Sequence, residues 1–106
     1  MQKMDEIDLF LNAGSELGFI SGMSILQLQS PVLKKGNCHI YFDKKVIKLE
    51  KLTKYGILRF KKLVQDMNGK SERECIDIIK NSIKEIIEIV EKYEKYKEGN
   101  FIKTRN

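Results

Sequence analysis

The sequence predicts a small α+β domain built from an N-terminal helix, a β-hairpin and two C-terminal helices. Three observations predict it. Apolar residues near the start recur at helical spacing. The stretch CHIYFDKKVIKLE alternates apolar and polar side chains about a charged tip, as a hairpin does. Further on, Ser71-Glu72-Arg73-Glu74 forms a capping box ahead of a run of isoleucines spaced three and four apart. At 106 residues the chain holds one domain with a thin core, read over positions 1–99, and a short basic tail at 100–106.

Met4 to Leu17 reads as the first helix. Met4, Ile7 and Leu11 share a stripe that Phe10 extends, with Leu17 near its end. Asp5, Glu6 and Asp8 fall in the first turn, where the helix dipole favours acids. Gly14 weakens the pattern and Gly18 stops it. Gly22 to Gln29 admits two readings. Ser21 ahead of it looks like a helix cap, yet Leu26 and Leu28 alternate with Gln27 and Gln29 as in a strand. Pro31 ends the element either way. Lys34-Lys35-Gly36-Asn37 is a turn.

The hairpin follows, with strands 38–42 and 46–50. With Asp43 and Lys44 as its loop, Ile40 opposes Ile47 and Cys38 opposes Leu49, and Phe42 shares their side. His39, Tyr41, Val46 and Lys48 take the other side. The Asn-Gly signal is missing, so a longer loop fits nearly as well. Thr53 then caps a helix to Met67, closed by Asn68-Gly69. On a helical wheel Ile57, Phe60, Leu63, Val64 and Met67 form one stripe, while Lys54, Tyr55 and Lys62 point away.

Ser71 opens the last helix, expected to reach Lys97 or Glu98 with Gly99 beyond it. Ile76, Ile79, Ile83, Ile86, Val90 and Tyr93 alternate three- and four-residue steps, which is an a/d seam. Cys75, Ile78, Ile87 and Ile89 widen it. The seam serves either as the central core helix or as the contact of a homodimer, and both hold on different sides.

The charge is unevenly placed. Lys34 to Leu63 holds ten positive and two negative residues, a balance of +8, whereas residues 1–33 stand at −3 and residues 64–106 at zero. The whole-chain charge of +5 therefore lies in the middle third. A concentration of like charge costs self-repulsion unless an anion meets it, and nucleic acid is a common such anion. Lys44 and Lys45 stand at the hairpin tip, with Lys34, Lys35 and Lys51 close by in sequence. Lys48 and His39 can touch phosphate from the outer side, and Tyr41 and Tyr55 can hydrogen-bond phosphate or stack. The bland alternative is a solvated lysine-rich surface, against which the uneven partition argues.

Other chemistry finds little footing. The single histidine, His39, is adjacent to Cys38, so on a strand the two point to opposite faces and cannot hold one metal. The glycines fit no phosphate-binding loop, and the carboxylates lie mostly beside lysines on helix faces. The expectation is a protein with no cofactor, metal, small-molecule substrate or enzymatic activity. Leu9 to Leu28 carries one charge, Glu16, but its three glycines and three serines make it too broken and polar for a membrane span. The acidic start, MQKMDEIDLF, lacks the basic region of a secretory leader, so a cytoplasmic protein with two reduced cysteines, Cys38 and Cys75, is expected.

Strand, basic tip, strand and then Leu52-Thr53-Lys54-Tyr55-Gly56 opening a helix resembles the wing and following helix of winged helix-turn-helix DNA-binding proteins. In many of them a wing strand runs directly into an L-T-x-x-G helix start. Ser21 to Gly36 is similar to a recognition helix ending in a Lys-Gly turn, although Pro31 interrupts it and it holds no arginine or lysine before Lys34. The resemblance covers Ser21 to Met67. It implies a winged-helix-like domain that meets double-stranded DNA mainly through the wing, along phosphates and the minor groove. Lys44, Lys45 and Lys48 would grip phosphates, and Lys54, Tyr55 and Lys62 would extend the contact. Such proteins act as transcriptional regulators or as plasmid and phage accessory factors in partition or conjugative transfer. The alternative is a protein-interaction module, a phage- or plasmid-borne inhibitor or adaptor docking on an acidic protein surface.

Overall fold

A helix, five strands and a second, much longer helix follow one another along the chain. The computed structural model describes residues 5–23, 31–43 and 45–104, with the backbone alone at Met23 and at 98–104. The elements are α1 (Glu6–Glu16), β1 (Ile20–Met23), β2 (Pro31–Lys35), β3 (Cys38–Asp43), β4 (Val46–Thr53), β5 (Gly56–Leu63) and α2 (Glu72–Thr104). The strands form one antiparallel sheet in the order β1-β2-β3-β4-β5. The fold is α+β, with two helices among the described residues where the sequence predicted three.

α1 starts where Asp5 caps it, its carboxylate accepting from the Ile7 amide at 3.4 Å. Its buried residues are Leu9, Phe10, Ala13 and Gly14. The predicted stripe was thus rotated, because Ile7 is exposed and Leu11 only half-buried. Met4 lies outside the described residues. Gly14 does not weaken the helix but lets it approach the sheet: a β-carbon there would stand 2.8 Å from Leu33 Cγ and closer still to its methyls. Phe10 stacks on Phe42 of β3 with ring centroids 5.3 Å apart.

Of the ambiguous segment 22–29, Gly22 and Met23 belong to a strand, and 24–30 lies outside the described residues. Lys34 and Lys35 are not in a turn but end β2, and the turn is Gly36-Asn37, with Gly36 at φ +60°. A recognition helix over Ser21 to Gly36 is not formed, since Ser21–Met23 and Pro31–Lys35 are strands. Pro31 lacks the amide hydrogen a helix interior requires, and it sits instead at the first position of a strand, where prolines are tolerated.

The β3–β4 hairpin forms, but two residues out of the expected register. Ile40 pairs with Leu49, Phe42 with Ile47, and Asp43 with Val46 across the tip. A slip of two leaves every side chain on its predicted face. Cys38 lies opposite Lys51 rather than Leu49.

The predicted helix Thr53 to Met67 is a turn and a strand. Thr53 Oγ1 accepts from the Tyr55 amide at 3.1 Å and donates to the Gly56 carbonyl at 2.8 Å, closing the loop Lys54-Tyr55. Gly56 takes φ +114°, which other residues adopt only under strain. Leu52-Thr53-Lys54-Tyr55-Gly56 is therefore a β-turn and not a helix start. β5 then pairs with β4 over its whole length, from Thr53↔Gly56 to Val46↔Leu63. An isolated helix of this length is marginal in water, and eight residues of ladder on a formed hairpin win.

α2 begins at the capping box: the Glu74 amide donates to Ser71 Oγ at 3.2 Å, while the Ser71 hydroxyl donates to the Glu74 carboxylate at 3.1 Å. Ile76, Ile79, Ile83, Ile86 and Val90 are buried in the core that α1, α2 and the sheet share. Tyr93 meets Phe60 of β5 edge-on at 5.6 Å. The proposed dimer seam is thus used within the chain itself and is not left for a second copy. The physical reason is that two helices cover one face of the sheet, and this stripe is what fills the space between. The helix also continues through Gly99 to Thr104, so 100–104 extends it; one interior glycine costs only about 1 kcal/mol.

Candidate functional site

Both helices pack on one face of the sheet, so the strand alternation divides the basic residues into two groups. On the helix face, the core residues Leu33, Ile40 and Leu49 and the half-buried Phe60 lie in one cross-strand row. Lys35, Lys51 and Lys62 share that face and are engaged there. Lys35 Nζ donates to the Leu17 carbonyl at 3.2 Å and stands 5.5 Å from the Phe19 ring centre. Lys51 pairs with Glu94 at 2.7 Å and Lys62 with Glu85 at 2.8 Å, both carboxylates on α2. These three predicted contact residues brace the helix side and do not join the outer surface.

Among the described residues, no helix packs on the opposite face. Two rows cross it from edge to edge. One runs Ile20, Lys34, His39, Glu50, Arg59 and the other Gly22, Val32, Tyr41, Lys48, Lys61. Pro31, Val32 and Leu33 are all buried, so that end of β2 is covered on both sides. The uncovered area spans β3 to β5 and Lys34. Its cations are Lys34, Lys48, Arg59 and Lys61, and its carboxylates Asp43 and Glu50. Lys48 lies 3.4 Å from Asp43 and Arg59 3.7 Å from Glu50, both pairs well exposed and individually worth little. Among the described residues, no carboxylate stands within ion-pair distance of Lys34 or Lys61. His39 and Tyr41 are half-buried in the middle, two residues apart on β3. Partial burial pushes the Tyr41 phenol up, and Glu50 adds to the effect.

The remaining predicted contacts stand at the two ends of the sheet. Lys45 is exposed at the β3–β4 loop, and its carbonyl accepts from the Val64 amide at 2.7 Å. Lys54 and Tyr55 form the β4–β5 loop at the far end, with Lys54 Nζ 5.3 Å from the Tyr55 ring centre. Lys44 lies outside the described residues. The basic residues predicted to share one ribbon-and-helix surface are therefore distributed over two faces and two ends. Nor is the hairpin a free wing: β2 and β5 flank it, and β5 reaches its tip.

Sequence reasoning found His39, Tyr41 and Lys48 from the alternation of β3 and β4. It missed Arg59 and Lys61 as partners on this face, because it placed them on a helix. Reading Gly56 to Leu63 with a period of two finds them, since Leu58 and Phe60 then separate from Arg59 and Lys61.

Two clefts accompany these surfaces. One of about 360 Å³ lies between the β3–β4 loop and the start of α2, lined by Lys45, Asp66, Lys70 and Ser71 among others. A smaller one of about 170 Å³ lies beside Cys38, between β4 and α2. Burial pushes the Cys38 thiol up, with Lys51 pulling it back, and both cysteines are free thiols. Among the described residues no cluster of three or more His, Cys, Asp or Glu side chains is placed to hold a metal ion. No helix of the described residues is long and apolar enough to cross a membrane. No family model, no curated protein and no solved structure matches this chain.

Proposed function

We propose that the chain binds nucleic acid on the face of its sheet opposite the two helices. One observation carries the reading: among the described residues, four cations, Lys34, Lys48, Arg59 and Lys61, surround the half-buried rings of His39 and Tyr41, against two carboxylates. Cations on a broad face meet phosphates without choosing a sequence, and an aromatic centre adds contact with bases. The chemistry differs from that of a protruding wing, since the contact spreads over four strands instead of one tip.

The test is fluorescence anisotropy with a labelled mixed-sequence oligonucleotide, single-stranded and as a duplex, in 50 mM salt. Binding is expected in at least one form. Lys48→Glu with Lys61→Glu should abolish it while circular dichroism stays unchanged. Absence of binding to either form at this salt would end the proposal.

A second reading draws on a different observation. Ile20, Leu52, Ile57 and Leu63 are exposed on this same face, Ile20 to 74% and Leu63 to 71%. Apolar side chains around a basic centre also suit an acidic protein surface. That partner becomes the favoured one if nucleic acid fails to bind.

A further inference from the structure

We infer that the strand received by this face is single, with neighbouring bases stacked on Tyr41 and His39. The inference rests on the nucleic-acid reading above and adds the class of ligand to it.

The first argument is width. Adjacent strands lie about 4.8 Å apart, so five of them span about 19 Å from β1 to β5. The major groove of a duplex is about 12 Å wide and admits a helix or a two-stranded ribbon. The β3–β4 pair would fit as a ribbon, but β2 and β5 are hydrogen-bonded along its sides. An undeformed B-form duplex then meets the face through its convex phosphate rim, leaving the rings in the middle with no base to meet unless the duplex bends and opens its minor groove. A single strand has no such barrier, because its bases are free to turn toward the sheet.

The second argument is the placement of the rings. His39 and Tyr41 stand on one strand, on one face, about 7 Å apart along it. Neither is a core side chain, and neither is fully exposed. Their cross-strand neighbours supply cations on both sides. Lys34 lies beside His39, and Lys48 with Lys61 beyond it lies beside Tyr41. Glu50, opposite His39, repels phosphate, which leaves the sugar–phosphate chain to run by the lysines while bases occupy the ring positions. Stacking of bases on rings tolerates any sequence, since every base has a π-face.

The experiment uses the full chain and three probes of one mixed sequence: labelled single-stranded DNA, the RNA equivalent, and duplex DNA. Anisotropy titrations are run in 50 mM salt. Single strands should bind at least tenfold tighter than the duplex. Tyr41→Ala and His39→Ala should each weaken single-strand binding by about 5- to 150-fold and leave any duplex binding unchanged. Tyr41→Phe, which keeps the ring, should retain affinity, and circular dichroism of the two alanine variants should match the parent, which excludes misfolding as the cause. The chain has no tryptophan, so Tyr41→Trp introduces a unique fluorophore whose emission should be quenched when a single strand binds. Equal or tighter binding of the duplex would overturn the inference and leave the broader proposal standing. So would a Tyr41→Ala variant that binds as well as the parent. Absence of binding to all three probes would bring down both.

Discussion

Salt dependence gives a quantitative handle on the open face. Each phosphate neutralised on a single strand lowers log K by about 0.7 per tenfold rise in salt. Lys34 and Lys61 have no carboxylate partner among the described residues, whereas Lys48 and Arg59 face Asp43 and Glu50 at 3.4 and 3.7 Å. If those two pairs persist in the complex, two cations count and the slope is about −1.4; if they open, four count and it is about −2.8. Raising salt from 50 to 200 mM should then weaken binding by about 7- to 50-fold. The perturbation is Lys34→Gln with Lys61→Gln, which should reduce the slope by about 1.4 in either case. Asp43→Asn with Glu50→Gln should move the parent toward the steeper limit. Lys51→Gln with Lys62→Gln is the control, since both residues are tied to α2 on the other face and should leave the slope unchanged. The assay is anisotropy with a single-stranded probe at four or more salt concentrations. A slope unaffected by the first pair, or reduced by the control pair, would refute the assignment of faces.

Three predictions concern the scaffold. Gly14→Ala gains about 1 kcal/mol in helix propensity but forces a methyl into Leu33, a strain of about 1–3 kcal/mol, so net destabilisation is expected; pairing it with Leu33→Ala should recover part of the loss in thermal melts. Ile83→Ala should cost about 2–5 kcal/mol in denaturant unfolding, and the cost should not depend on protein concentration, because Ile83 is buried within the chain. Glu16 is held at about 2 by Arg73 and, secondarily, Lys80, below its ordinary 4.5. A depressed acid stabilises the fold fully above its unfolded value and loses that contribution as pH falls, so the melting advantage of the parent over Glu16→Gln should shrink between pH 4.5 and about 2.

Much of this molecule is legible in the sequence, and the failures have physical causes. The hairpin shows because β-branched and aromatic residues alternate with polar ones over both strands. Its register did not, since the tip lacks a turn signal, but a slip of two leaves the faces intact. β5 was lost because Ile57, Phe60, Leu63, Val64 and Met67 also fit helical spacing. What decides between the periods is the neighbouring strand β4, which no local pattern contains. The isoleucine seam of α2 was visible, but a stripe specifies only that something apolar must cover it. The chain's own sheet does so, in place of a second copy. The same limit applies to the site. Alternation put His39, Tyr41 and Lys48 on the face they occupy, while the positions of Lys35, Lys51 and Lys62 depended on where the helices dock.

Backbone amide chemical-shift mapping tests the central claim most directly. A ¹⁵N-labelled sample is titrated with a single-stranded oligonucleotide and the perturbed amides are assigned. The largest changes should fall at His39, Tyr41, Lys48, Arg59 and Lys61, with Lys34 at their border, and α1 and α2 should stay still. Changes concentrated on the helix face around Lys35, Lys51 and Lys62, or at the sheet ends alone, would contradict it.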